Sequence, residues 1–258
     1  MLLRLVELLF PVRPGERRLT FVLFLHSLFA VGSFMTGRSV RDALFLVHGD
    51  RALLPWMYVL SAAGVTFTGV IYARYAAKIR RDRMAALTSS FFAVFFIGAY
   101  LVERSHEQWV YSALYVYVEI MGALCLMQFW TLANELFNAR EAKRLYGLIG
   151  AGGTVANIVI GLATAWIAKR FGASSLMLLC TVLLVGTAVA SWFAGSYGRQ
   201  RIFAKAASGK KVEKRTGGAS RVFSSGHLRI VAALAALTFF VTTFVDFEFK
   251  VIAAAAYP

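Results

Sequence analysis

Long apolar stretches separated by short polar segments recur along the chain. Each stretch is apolar around most of a helix circumference, without the sustained alternation of a strand. About 20 apolar residues cross the hydrocarbon core of a bilayer, and every stretch approaches or exceeds that length. We predict seven transmembrane helices, at residues 19–47, 54–75, 84–102, 109–133, 146–168, 174–194 and from 230 onward. The first stretch is long, so we expect it to tilt or to contain a break near Gly37.

Composition agrees with this pattern. Hydrophobic residues make up 59% of the 258 residues and charged residues 16%, whereas soluble domains are about 45–50% apolar. A β-barrel is disfavoured because its strands give short alternating segments. Cys125 and Cys180 both fall inside predicted spans, which does not indicate a disulfide framework. The fold class predicted is an all-α integral membrane protein.

Basic residues are unevenly distributed between the two predicted sides. The net charge is +15, and about three quarters of the 28 Lys and Arg residues fall on the side of the N-terminus. The predicted outer connections hold Arg51, Arg104, Lys169 and Arg170. This asymmetry predicts a cytoplasmic N-terminus. Orientation in the lipid bilayer, with contact to anionic lipid, accounts for the net charge, so no nucleic-acid partner is needed.

The order of the segments predicts four parts. Residues 1–18 form a cytoplasmic interfacial segment, 19–195 a six-helix transmembrane bundle, 196–228 a basic cytoplasmic linker, and 229–258 the seventh transmembrane helix. Six helices, a long inner loop and another helix match the first half of a major-facilitator-like transporter. We therefore expect a second bundle, missing here, to follow Pro258. A complete seven-span protein is the alternative.

Four charged residues stand out because they lie within or beside predicted spans. Glu119 is about ten residues inside its span, where a carboxylate costs about 2.5–3.5 kcal/mol. Arg38, Arg41 and Asp42 lie late in the first span, and the two arginines share one helix face. Such groups indicate a solute pathway. The alternative is a static network between helices, or arginines that only mark the outer interface.

One part of the chain carries a recognisable set of residues. In the stretch 117–161 these are Glu119, Gly122, Phe129-Trp130, Ala133-Asn134, Glu141-Ala142-Lys143-Arg144, Tyr146, Gly150 and Gly161, and the first span adds Arg38-Ser39-Val40-Arg41-Asp42. This set resembles the ADP/ATP nucleotide transporter family of plastids and obligate intracellular bacteria, which is related to the major facilitators.

The resemblance implies exchange of ATP for ADP by alternating access, in a multi-pass protein of the inner (plasma) membrane. It places Arg41 and Glu119 in the central substrate pathway. The family favours Lys where this chain has Arg41, and because Arg and Lys are not interchangeable, the substrate implied is less definite. We hypothesise that Glu119 pairs with Arg41 in the empty state and releases it when phosphate arrives.

Further candidates are less strongly indicated. Asn157 and Lys250 could add to the substrate-binding set of Arg38, Arg41, Asp42 and Glu119. Candidate gating or latch residues are Arg80, Arg81, Asn134, Glu141, Lys143 and Arg144, the last four in a predicted inner loop at 134–144. One of the aromatic residues Tyr111, Tyr115, Tyr117, Phe129 and Trp130 is a candidate to stack on an adenine ring.

Several function classes can be weighed from the sequence. The glycine-rich stretch 147–153 follows no strand and lacks the Lys-Ser/Thr ending of a P-loop. Because metal-ligand clusters and nucleophile motifs are also lacking in the sequence, we expect neither an enzyme nor a cofactor. The leading prediction is a nucleotide transporter with an anionic small-molecule substrate. The alternatives are a carrier of another organic anion and a non-transporting scaffold or sensor with the same fold.

Overall fold

The structure, a computed structural model, describes residues 12–13, 15–49, 51–76, 79–103, 108–207 and 225–256. Most of the predicted interfacial segment and the predicted linker residues 208–224 lie outside this part. The chain divides into two units, Met1–Ala207 and Ser208–Pro258. In the described residues all regular structure is helical, with no strand.

Seven long helices account for most of the described residues. They are α1 (Arg17–His48), α2 (Leu54–Tyr75), α3 (Arg81–Val102), α4 (Gln108–Leu136), α5 (Ala139–Phe171), α6 (Leu176–Ala207) and α7 (Gly226–Ala256). Within the described part of the chain, seven helices are long and apolar enough to cross a membrane. The predicted all-α membrane class is therefore confirmed.

The helices differ from the predictions in three places. First, α1 is continuous through Gly37, so it contains no break there, and the alternative of a tilt stays a prediction. Second, the predicted loop at 134–144 is mostly helical, because Asn138 and Glu141 form a capping box that starts α5 at Ala139. Third, α6 continues to Ala207, twelve residues into the predicted linker. A helix can extend beyond the bilayer wherever its residues favour it, and hydropathy does not register that extension.

Helix α1 lies at the centre of the first unit, where it packs against α4, α5 and α6, while α2 and α3 pack on α4 and α3 also packs on α6. Close approach depends on glycine. A Cβ at Gly152 would meet the Phe24 backbone carbonyl, and a Cβ at Gly122 would overlap the Phe34 ring. Small residues of this kind let helices pack closely in membranes, where no hydrophobic force draws them together.

Contacts between helix ends define the two ends of this bundle. At one, which we call the charged end, Arg144 near the start of α5 pairs with Glu16 just before α1, and Arg81 at the start of α3 pairs with Glu135 at the end of α4. At the opposite end, the His48 ring stacks on Tyr111 of α4. The six helices therefore alternate in direction, as short connections between spanning helices require.

A buried ion cluster as candidate functional site

Arg41 is the centre of a charged cluster between α1 and α4. The residue is 1% exposed. Its Nε donates a hydrogen bond to Asp42 Oδ1 at 2.9 Å, and its Nη1 donates to Glu119 Oε1. Its Cζ lies 4.1 Å from the centroid of the Tyr115 ring. A guanidinium removed from water in this way is stabilised by two carboxylates and an aromatic face.

The Arg41–Glu119 pair forms although α1 does not break. Arg41 lies seven residues before the end of α1, and Glu119 lies eleven residues after the start of α4. At 1.5 Å per residue, these positions differ in depth by about 6 Å. An extended arginine side chain covers that distance, so the pair forms without a break in α1.

Arg38 and Asp42 complete the cluster on its more exposed side. Arg38 Nε lies 3.6 Å from Glu119 Oε1, and the Arg38 guanidinium lies over the Phe34 ring at 5.5 Å. The side chains of Glu119 and Asp42 are both 26% exposed, and that of Arg38 is 37% exposed. Two arginines thus face two carboxylates, and their formal charges cancel.

Helix α4 supplies both the aromatic face and the carboxylate that contact Arg41. Tyr115 and Glu119 are four residues apart, which places them on one helix face, one turn apart. The Tyr115 ring makes edge-on contacts with Phe45 of α1 at 5.2 Å and with Tyr58 of α2 at 6.0 Å between centroids. Tyr115 is therefore packed beneath Arg41 rather than free to stack on an adenine ring.

The other aromatic candidates for adenine stacking are also engaged within the bundle. Tyr111 and Phe129 are each 1% exposed. Tyr117 donates a hydrogen bond to the Phe92 carbonyl and stacks on Phe95 with 3.7 Å between ring centroids. Trp130 is the most exposed of the set at 39%, and its ring contacts Tyr146 edge-on.

The two remaining predicted substrate residues lie on α5 and α7. Asn157 is exposed on α5, between Gly153 and Ile160, which contact Val31 and Gly32 of α1. Lys250 lies on α7 and pairs with Asp246 one turn earlier, Nζ to Oδ2 at 2.8 Å. These observations do not test whether Asn157 or Lys250 binds substrate, so both roles stay predictions.

The predicted latch residues lie at the charged end and make different contacts. Arg80 pairs with Asp82 at 2.7 Å, and Arg81 Nε lies 3.3 Å from Glu135 Oε2. Asn134 Oδ1 accepts a hydrogen bond from the Tyr146 hydroxyl at 2.8 Å. Glu141 caps its own helix through the backbone of Asn138, and Lys143 is exposed.

The contact of Arg144 involves a partner that the sequence did not single out. Its Nη2 donates to both oxygens of Glu16, at 2.8 and 2.6 Å. The Glu16 side chain is 5% exposed, and it also accepts from the Arg13 backbone at 3.3 Å. Asp82 is similarly enclosed, since a Cβ at Gly195 of α6 would overlap its carboxylate. Nothing adjacent in sequence marks Glu16 or Gly195, because their neighbours come from other helices.

The fold and the cluster define a multi-pass helical membrane protein with a buried ion network between its first and fourth spans. Residues 98–193 match the family described as TLC ATP/ADP transporter. The family resemblance drawn from the sequence is confirmed over this segment, which includes Glu119 but not Arg41.

Individual relatives agree with the family match. The chain is 22% identical over 186 residues to ADP,ATP carrier protein 3 of Rickettsia conorii. It is 42% identical over 64 residues to ADP,ATP carrier protein 1 of Chlamydia muridarum. These matches cover 60% and 24% of this chain, and 37% and 12% of the relatives. The chain thus spans little more than a third of the length of the curated relatives it matches. No solved structure matches it.

Proposed function

We propose that the protein is a secondary transporter that exchanges nucleotides of the ATP/ADP type by alternating access, with Arg41 and Glu119 in its substrate pathway. The observation that carries this proposal is the buried Arg41–Glu119 pair inside two apolar helices. Intramembrane ion pairs are costly and mark substrate or ion pathways. The names of the relatives, ADP,ATP carrier proteins, supply the substrate class.

The charge balance of the cluster suggests how an anion would enter it. Arg41 has a carboxylate on each side, so a phosphate must compete with one of them. Glu119 is the one to leave, because it already lies 3.6 Å from a second arginine, Arg38. It can turn toward Arg38 and remain paired, while phosphate takes its place on Arg41. Guanidinium groups suit this exchange because they bind phosphate through paired donors.

The contacts at the charged end suggest how one end of the pathway is held closed during the transport cycle. Alternating access requires that one end of the pathway be closed while the other opens. Arg81 with Glu135 joins α3 to α4, and Arg144 with Glu16 joins α5 to the start of α1. We propose that these pairs act as latches that hold the helix ends together in one state.

Transport assays test the proposal. The full-length protein is reconstituted in liposomes, and uptake of labelled ATP, ADP, phosphate and a panel of dicarboxylates is measured. We expect exchange of ATP and ADP, and loss of most of it in Glu119→Gln. Glu103→Gln is the matched control, since it makes the same carboxylate-to-amide change at a residue that contacts Ser174 and belongs to neither the ion cluster nor the latch pairs. Uptake of another anion alone would identify a different cargo, and absence of any uptake would favour a scaffold or sensor.

We further propose that the protein lies in the inner membrane with a cytoplasmic N-terminus. The excess of Lys and Arg on that side supports this orientation. Single cysteines placed at exposed positions test it, once Cys125 and Cys180, both buried, are replaced by alanine. A cysteine at Lys143 should react with an impermeant thiol reagent only after the membrane is opened. One at Lys169 should react from outside intact cells.

A further inference from the structure

We propose that Tyr115 is a positioning residue for anion binding. With Asp42 it fixes the Arg41 guanidinium so that its Nη1 and Nη2 edge takes two oxygens of a single oxyanion. This inference rests on the proposed function, because it concerns how that same site recognises its cargo.

The donors of Arg41 are used unequally. A guanidinium carries five N–H groups in a fixed planar fork. Nε is taken by Asp42 at 2.9 Å, and Nη1 is taken by Glu119. Nη2 is buried and has no hydrogen-bond partner among the described residues. Along the edge formed by Nη1 and Nη2, Nη2 therefore has no acceptor among the described residues. The acceptor of Nη1, the Glu119 carboxylate, is partly exposed.

Asp42 and Tyr115 hold the other sides of the Arg41 guanidinium, and both would stay in place when Glu119 moves away. Asp42 neighbours Arg41 in sequence and occupies the Nε side. Tyr115 occupies a face, with Cζ 4.1 Å from its ring centroid. The ring is 1% exposed and is packed between Phe45 and Tyr58, so it cannot follow a ligand out of the site. Removal of Glu119 therefore leaves the plane of Arg41 unchanged.

This arrangement specifies the chemistry of the ligand. Two adjacent donors in one plane match two oxygens on one atom, as in a terminal phosphate or a carboxylate. Lysine at position 41 would bind the same anion as a point charge, without this geometric selection. Arginine at this position thus becomes a specificity feature of this chain, and Tyr115 keeps that feature oriented.

The experiment compares ring-preserving and ring-removing variants of the full-length protein. Dissociation constants for ATP and for succinate, which carry the two kinds of oxyanion, are measured in detergent for wild type, Tyr115→Phe and Tyr115→Leu. Tyr117→Leu is the matched control, because it removes a packed tyrosine of the same helix that contacts Phe92 and Phe95 instead of Arg41. Tyr115→Met is the second variant if Tyr115→Leu fails to fold.

We expect Tyr115→Leu to weaken binding of the preferred anion about 5- to 30-fold, the range of a desolvated cation–π contact. Tyr115→Phe and Tyr117→Leu should each change binding less than about twofold. Because Tyr115 acts through Arg41, the effects of Tyr115→Leu and Arg41→Lys should not add in the double variant. Equal losses in Tyr115→Leu and Tyr117→Leu, or fully additive effects, would overturn the inference and leave the proposed function standing. Failure of wild type to bind either anion would overturn both.

Discussion

Replacement of Glu119 by glutamine tests whether Arg41 depends on it for stability. The substitution keeps the shape of the side chain and removes its charge. Arg41 is 1% exposed, so it cannot exchange a lost carboxylate for water without rearrangement. Arg41 then retains its ion pair with Asp42, Nε to Oδ1 at 2.9 Å. We expect Glu119→Gln to destabilise the folded protein.

The magnitude follows from what remains after the change. Breaking a buried ion pair by removing one partner costs about 3–5 kcal/mol. Here Asp42 still neutralises Arg41, and the glutamine carbonyl still accepts a hydrogen bond, so we expect about 2 kcal/mol. For a chain of this size, that corresponds to a decrease of about 4–8 °C in Tm.

Thermal unfolding in detergent, followed by tryptophan fluorescence, measures the decrease. Glu135→Gln provides the matched comparison, since Arg81 and Glu135 have side chains 40% and 33% exposed. An exposed pair contributes about 0.5 kcal/mol, so this variant should lose only about 1–2 °C. If both variants lose the same amount, Arg41 is not buried against Glu119 in the way described, and the reasoning fails.

Two further changes test the packing and the charged end by the same thermal measurement. Gly122→Ala should destabilise by about 1–3 kcal/mol, because its Cβ would overlap the Phe34 ring and push α1 from α4. Arg144→Met should cost about 3 kcal/mol, because it leaves the Glu16 carboxylate, 5% exposed, without its ionic partner.

Matched controls exist for both changes. Gly147→Ala adds the same methyl group where nothing lies within 4 Å, so it should leave Tm unchanged or slightly raised. Arg140→Met removes an exposed arginine from the same first turns of α5 and should change stability by less than about 0.5 kcal/mol. A control that is as destabilising as its partner variant would contradict the corresponding contact.

The helical architecture could be predicted because spanning a bilayer imposes a length and an apolar composition. The helix ends could not, since they depend on caps and on polar helical extensions outside the membrane. Asn138 with Glu141 starts α5 seven residues before the predicted span, and α6 continues to Ala207. Both regions are polar enough to be taken for loops when hydropathy alone is considered.

The charged residues of the candidate site could be predicted from the sequence, but the residues of other helices that contact them could not. Glu119 and Arg41 stood out because ionised groups are rare in apolar spans, and the structure pairs them. Tyr115 stood out only as one of five candidates for adenine stacking, and Glu16 did not stand out, because the contacts of both residues depend on which helix faces meet. The spacing of four residues between Tyr115 and Glu119 is visible in the sequence. It indicates a shared contact with Arg41 only once α1 is known to pack on that face of α4.

Counter-exchange in liposomes tests the central claim most directly. The full-length protein is reconstituted, the liposomes are loaded with ADP or left empty, and uptake of labelled ATP is followed. An exchanger with an intact Arg41–Glu119 pair should take up ATP much faster into ADP-loaded liposomes, and Glu119→Gln should lose that acceleration. Equal uptake into loaded and empty liposomes would contradict nucleotide exchange. Unchanged acceleration in Glu119→Gln would contradict the role assigned to the buried pair.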